Sequence, residues 1–202
     1  MTFYIRHTPE RFCMKHFQLF LCRLLFIVCL FPHVCRGQSE PEISWHQLET
    51  RHTLIQYQHP QNLKLFYKRI DFSPKKWSLS DLFSKPADND PLERIKTKVD
   101  GLYERVQEIL DMRKKMEKPV IRIYSCEQDL QKAYRDIYKS NRSLRAWYIF
   151  EVNTIYLNVR DLHEGILAHE LAHSIIDHYL SVRPPAASSE ILARYVDSHL
   201  FE

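Results

Sequence analysis

Glycine and cysteine are scarce in this sequence. Of its 202 residues, 3 are glycine and 5 are cysteine, while 45% are hydrophobic. This composition excludes collagen-like and low-complexity chains. Four of the cysteines lie within residues 1–37, and Cys126 is the single cysteine beyond them. An internal disulfide is therefore excluded for residues 38–202, and so is a small disulfide-dense scaffold.

A charge imbalance is absent from most of the chain. The formal net charge is +4, but five of the 29 basic residues and one of the 25 acidic residues lie within residues 1–37. The remainder therefore carries 24 residues of each sign. Because an anionic partner such as nucleic acid is recognised through excess positive charge, we expect no nucleic-acid partner.

Long apolar runs are also absent from the N-terminal region. Its uninterrupted apolar run, residues 24–31, has eight residues, whereas a membrane-spanning helix needs roughly 20. A basic stretch through Lys15, a mainly apolar segment over residues 17–31 and the small residue Gly37 follow the order of a secretory signal peptide. We therefore predict a signal peptide over residues 1–37 and export to the periplasm or the medium. A start at Met14 and a retained membrane anchor are the alternatives.

The remaining sequence divides into two predicted parts. Residues 38–91 predict a polar lead-in, a β-hairpin from residues 53–57 and 63–70, and a proline-containing loop. Residues 92–202 predict one folded domain. Its predicted elements are a helix over 92–116, a strand over 120–124, a helix over 127–139, a hairpin of strands 144–150 and 154–159, a helix capped by Asp161 and ending near Leu180, and a helix capped by Ser188 or Ser189 and ending at Leu200.

The residues that point to chemistry lie in the third predicted helix of this domain. His169, Glu170 and His173 form the pattern His-Glu-x-x-His. On an α-helix, residues four apart share a face, so both imidazoles can bind one tetrahedral ion while the glutamate lies beside them. Zinc would lower the pKa of a water, and the glutamate would take its proton. We predict His169 and His173 as zinc ligands and Glu170 as the general base; the alternative is a core helix whose histidines bond to carbonyls.

A zinc site of this kind needs a third protein ligand. Glu190 lies 17 residues after His173, near the start of the last predicted helix, and is the candidate ligand. Its alternative role is to complement the dipole of that helix. His178 is turned about 140° around the helix axis from His173, which excludes it. Asp177 is in phase with both histidines, so we predict that it supports the site by bonding to an imidazole.

The motif together with Glu190 resembles the gluzincin clan of zinc metallopeptidases, to which thermolysin-like enzymes belong. The resemblance covers about residues 92–202. It implies a zincin-like α+β fold, in which a small mixed sheet with an edge hairpin packs on an active-site helix and a glutamate helix. It also implies that the edge strand binds the peptide substrate. Ala146 and Trp147 match the family's Asn-Ala-aromatic sequence there, whereas Arg145 replaces the asparagine.

Two features depart from the thermolysin-like pattern. Twelve residues follow Glu190, so we expect no downstream subdomain, and Arg194 stands where those enzymes carry an aspartate. Both features are similar to the single-domain minigluzincins, whose latent forms make latency a further expectation. The group that stabilises the oxyanion remains open among Tyr179, Tyr195 and His199.

The sequence therefore predicts an exported zinc endopeptidase that acts on a peptide or protein substrate. A second hypothesis is a non-catalytic, zinc-stabilised module that binds peptides or a cell-envelope partner. A third is a membrane-tethered structural protein whose motif is accidental. The basic segment Arg113-Lys114-Lys115 is expected to be a solvated face, and the oligomeric state is left open.

Overall fold

The computed structural model describes residues 44–72 and 90–202 of the chain. The predicted signal peptide, the alternative start at Met14 and most of the predicted loop lie outside the described residues. Within the described part, no helix is both long and apolar enough to cross a bilayer.

A mixed sheet of five strands forms the centre of the described fold. The order is β1-β2-β3-β5-β4; β2, β3 and β5 run parallel, and β1 and β4 are antiparallel to their neighbours at the two edges. The strands are β1 His46–Glu49, β2 Leu54–Tyr57, β3 Val120–Tyr124, β4 Ala146–Ile149 and β5 Thr154–Asn158. The helices are α1 Pro60–Arg69, α2 Pro91–Leu110, α3 Glu127–Tyr138, α4 Glu164–Tyr179 and α5 Ala186–His199. The predicted α+β class with a small mixed sheet is therefore confirmed.

The predicted hairpin of residues 53–57 and 63–70 is wrong, because its second half is helix α1. The strand that pairs antiparallel with β2 is β1, which lies within the predicted lead-in. Pro60 occupies the first helical turn, where its missing N–H costs nothing. Leu63, Phe66 and Ile70 are buried and recur at helical spacing, so one face of the helix packs on the core.

Helix α2 ends earlier than the predicted residue 116. Asp111 adopts the left-handed conformation (φ 53°) directly after Leu110 and ends the helix. The side-chain amide of Gln107 then donates hydrogen bonds to the carbonyls of Met112 and Lys114. These bonds fold the following loop back against the helix. Met116 therefore reaches the hydrophobic core from the loop rather than from the helix.

Helices cover both faces of the sheet. On one face, α1, α2, α4 and α5 share a core with alternate residues of β3 and β5, such as Ile121 and Ile155. On the other face, Leu130 of α3 packs in a smaller aromatic cluster with Tyr124 and Tyr156. Strand β5 is buried at every position because helices lie above and below it.

Helix α4 packs against α2, α5 and β4 and is almost surrounded by protein. It begins after His163, whose ring Nδ1 accepts a hydrogen bond from the N–H of Ile166, so the predicted Asp161 cap is wrong. The carboxylate of Asp161 instead accepts from the side-chain amide of Asn158. The predicted cap of α5 is also wrong, because the helix starts at Ala186, after a proline, and Ser189 is inside it.

The packing of α1 gives a stability prediction. Phe66 is fully buried, so replacing it with alanine should lower the free energy of unfolding by about 3–5 kcal/mol through lost burial and a cavity. Urea unfolding followed by circular dichroism measures this change. Val182 is 80% exposed, and its replacement by alanine should change the stability by less than about 0.5 kcal/mol. An equal effect of the two substitutions would contradict the packing of α1.

Candidate metal centre

Three candidate ligands meet where α5 crosses α4. His169 and His173 lie one turn apart on the same face of α4, and Glu190 projects from the second turn of α5. The two Nε2 atoms are 3.2 Å apart, and Glu190 Oε2 lies 3.6 Å from His169 Nε2 and 3.5 Å from His173 Nε2. In the part of the chain that the structure describes, no other set of His, Cys, Asp and Glu side chains is grouped closely enough to hold a metal ion.

The spacing of these atoms suits a tetrahedral ion. Metal–ligand bonds of about 2.0–2.1 Å place two ligand atoms about 3.3 Å apart, and the observed separations are 3.2–3.6 Å. Three protein ligands leave the fourth position of a tetrahedral ion open, as catalytic zinc sites require. The residues therefore fit zinc in both number and chemistry.

Each imidazole is oriented by a group on α5. His169 Nδ1 donates to Asp197 Oδ2 at 2.9 Å, because a carboxylate can only accept. His173 Nδ1 lies 3.0 Å from the hydroxyl of Ser189. When both Nδ1 atoms carry the proton, both Nε2 lone pairs face the Glu190 carboxylate. Three electron-rich atoms so close together repel one another unless a cation lies between them.

The electrostatic environment favours the deprotonated ligand forms. Burial lowers the pKa of His173, and the neighbouring His169 lowers it further, which favours the neutral ring. Burial opposes ionisation of Glu190, but its hydrogen bond from Arg194 and the two imidazoles together hold its pKa below the ordinary value. Metal ligation requires neutral imidazoles and a charged carboxylate, and the two shifts favour these forms at His173 and Glu190.

Glu170 lies beside the candidate metal ligands in a cleft of about 570 Å³. The cleft is also lined by His169, Asp197 and Ala146, so it joins the motif to the edge strand β4. Burial raises the pKa of Glu170 to about 7; His169 opposes the shift, and the carboxylates of Glu190 and Asp197 add to it. A carboxyl that ionises near neutral pH can both accept and return a proton.

The two residues predicted to bind substrate on the edge strand lie on opposite faces of the sheet. Ala146 lines the cleft and faces the α4 side of the sheet. Trp147 points to the opposite side, because side chains alternate along a strand. Its ring stacks on Tyr156 with centroids 4.9 Å apart and meets Tyr134 edge-on. The Trp147 side chain therefore packs the sheet on the α3 side and is not part of the cleft.

The predicted bond between Asp177 and an imidazole is wrong. Asp177 is buried, and its Oδ2 accepts from Nε of Arg183 at 3.0 Å, in the linker between α4 and α5. The supporting carboxylate is Asp197, which sequence reasoning missed. Asp197 follows Glu190 by seven residues, which is two helical turns, so both lie on one face of α5. That phase is the signal that could have identified it.

The residues proposed for oxyanion stabilisation do not line the cleft. Tyr195 and His199 stack on each other on α5 with ring centroids 3.9 Å apart. The Tyr179 ring lies 6.0 Å from the Lys114 ammonium, and His178 Nε2 lies 3.0 Å from the hydroxyl of Tyr148.

Besides Asp197, four polar residues that sequence reasoning did not assign to the site line the cleft: Ser143, Arg145, His163 and Glu164. The His163 ring approaches α4 closely, because a Cβ at Gly165 would lie only 3.2 Å from it. Glycine at position 165 therefore avoids a close contact with the His163 ring, which lines the cleft.

Comparison with known protein families, with curated proteins and with solved structures gives no match to this chain. The function is therefore inferred from the motif and from the geometry of the side chains.

The bond between Asp197 and His169 gives a prediction for metal affinity. Replacing Asp197 with alanine should weaken zinc binding by about 10- to 100-fold, because the His169 ring loses the group that fixes its tautomer and orientation. Competition with a chromogenic zinc chelator measures the affinity. Asp136 is exposed on α3, and its replacement by alanine should leave the affinity unchanged. Unchanged affinity after loss of Asp197 would contradict the assignment.

Proposed function

We propose that the protein is a zinc-dependent metallopeptidase, with His169, His173 and Glu190 as metal ligands. The observation that carries the proposal is the convergence of these three side chains within 3.6 Å, with Glu170 beside them in an open cleft. The sequence motif alone guarantees only the two histidines and Glu170 on one helix. The arrival of Glu190 from α5 supports a complete ligand set.

The chain's own residues supply the proton transfers. Zinc bound by this set supplies a Lewis acid that polarises a peptide carbonyl and lowers the pKa of a water molecule. Glu170 is placed to accept the proton of the attacking water and to pass it to the departing amine nitrogen. Because burial raises its pKa to about 7, both transfers run close to neutral pH.

The edge strand is placed to orient a peptide substrate. Among the described residues, strand β4 lies at the edge of the sheet and pairs with β5 alone, in a register that sets Ala146 opposite Leu157. Its other edge offers backbone groups to which an extended peptide can add as a further strand. Ala146 and Glu170 line one cleft, so a peptide held on β4 lies across the proposed base. Export remains part of the proposal and rests on the residue order of 1–37.

A second candidate function is a non-catalytic, zinc-stabilised module that binds a peptide or a cell-envelope partner. The observation that favours it is the position of Tyr179, Tyr195 and His199, none of which is among the described residues that line the cleft. A site without these three donors can still hold a metal and bind a chain on β4.

Replacing Glu170 with glutamine tests the proposed catalysis. The substitution should reduce kcat for peptide cleavage by at least about 100-fold, because the amide cannot accept a proton. The zinc content should not change, because Glu170 is not one of the three ligands. Digestion of a peptide library by the zinc-loaded protein, followed by mass spectrometry, measures the first effect, and elemental analysis measures the second.

The matched control is Glu151→Gln, an exposed glutamate after β4 that does not line the cleft. It should retain wild-type activity and zinc content. Undiminished cleavage by the Glu170 variant, or activity that survives removal of zinc, would overturn the proposed mechanism. A zinc-loaded wild type that binds peptides but cleaves none would establish the second candidate instead.

A further inference from the structure

A second pocket, of about 400 Å³, shares no lining residue with the metal cleft. It lies between the loop after β1, helix α2 and the loop that follows α2. Five cationic side chains line it, and no acidic side chain does. The five are Arg51, Arg113, Lys114, Lys115 and Lys118.

Two of these cations have no acidic partner in the described residues. Three are paired with glutamates outside the pocket: Arg51 with Glu104 at 2.9 Å, Arg113 with Glu108 at 3.5 Å and Lys118 with Glu49 at 2.7 Å. Lys114 and Lys115 are exposed and make no ion pair with described residues. The pocket therefore keeps two uncompensated positive charges on one wall.

The lysine wall is held in place by the fold. Gln107 donates to the carbonyls of Met112 and Lys114, each at 3.2 Å, and Met116 packs against the core. At the end of the segment, Lys118 donates to the carbonyl of Thr50 at 2.6 Å. The backbone that carries Lys114 and Lys115 is therefore fixed before any ligand arrives, which lowers the entropy cost of binding.

The opposite wall is fixed as well. The Asp100 carboxylate accepts from the hydroxyl of Thr50 and from the backbone N–H groups of Arg51 and His52. The His52 ring stacks on the buried Tyr103 ring, with centroids 4.9 Å apart and planes inclined by 8°. Both walls of the pocket are thus set by hydrogen bonds and packing that do not use the ammonium groups of Lys114 and Lys115.

We propose that this pocket binds a small multivalent oxyanion, a molecule that carries at least two phosphate or carboxylate groups. Its volume lies within the range of small-molecule sites. Guanidinium and ammonium groups are the side chains that bind such anions through charge-assisted hydrogen bonds. The two uncompensated lysines require at least two negative charges for neutrality. The site is independent of the proposed peptidase function.

Titration calorimetry with inorganic triphosphate and, separately, with citrate tests the proposal on the full zinc-loaded chain. We expect saturable binding of at least one probe to the wild type. The double variant K114Q/K115Q should bind about tenfold more weakly, since each exposed charge contact contributes modestly and two are lost. A stronger response to one probe identifies phosphate or carboxylate as the preferred group. Binding should weaken as sodium chloride is raised, because the lysines are exposed.

The matched control is K64Q/K68Q, which removes the same charge from exposed positions of α1 outside the pocket. It should bind the probe as the wild type does. Both probes chelate zinc, so elemental analysis of every sample keeps metal loss separate from pocket binding, and both variants retain the metal ligands. Absence of saturable binding to the wild type, or an equal weakening in both variants, would overturn the proposal.

Discussion

The contact between α4 and α5 is the interaction on which the rest of the candidate site depends. Helix α4 is nearly surrounded by protein, yet one of its faces carries His169, Glu170 and His173. Polar groups in such a position are stable only when they are bonded. Helix α5 supplies the partners from one face: Ser189 and Asp197 bond to the imidazoles, and Glu190 faces both rings. The same contact therefore bonds both imidazoles and brings the three candidate ligands together.

Much of the fold could be predicted because its signals are local. Pro119 and the apolar residues after it mark β3, and the hairpin of β4 and β5 follows from two β-rich runs joined by a short turn. Helix α1 could not be placed correctly, because residues 63–70 contain apolar residues that suit either period. Phe66 of this helix is fully buried in the core, a tertiary contact that hydrophobic periodicity does not show. Helix α2 ends because Asp111 adopts the left-handed conformation, which hydrophobic periodicity does not predict.

The candidate site could likewise be predicted only where its geometry is set within one helix. His169, Glu170 and His173 lie within five residues of one helix, so their proximity could be predicted from the sequence. The sequence could not show whether Asp177 or Asp197 bonds to an imidazole, since each is in helical phase with a candidate ligand on its own helix. The structure directs Asp177 toward Arg183 of the linker and Asp197 toward His169. Which carboxylate meets an imidazole depends on the angle at which the two helices cross.

The short linker between α4 and α5 lowers the entropy cost of bringing the candidate metal ligands together. Bringing Glu190 to His173 closes a loop of only 17 residues, whereas pairing Leu54 of β2 with Val120 of β3 closes one of 66. The entropy cost of loop closure grows with the logarithm of loop length. Closing the helical hairpin of α4 and α5 therefore costs less entropy than pairing β2 with β3. The three candidate ligands therefore come from one continuous stretch of chain, residues 169–190.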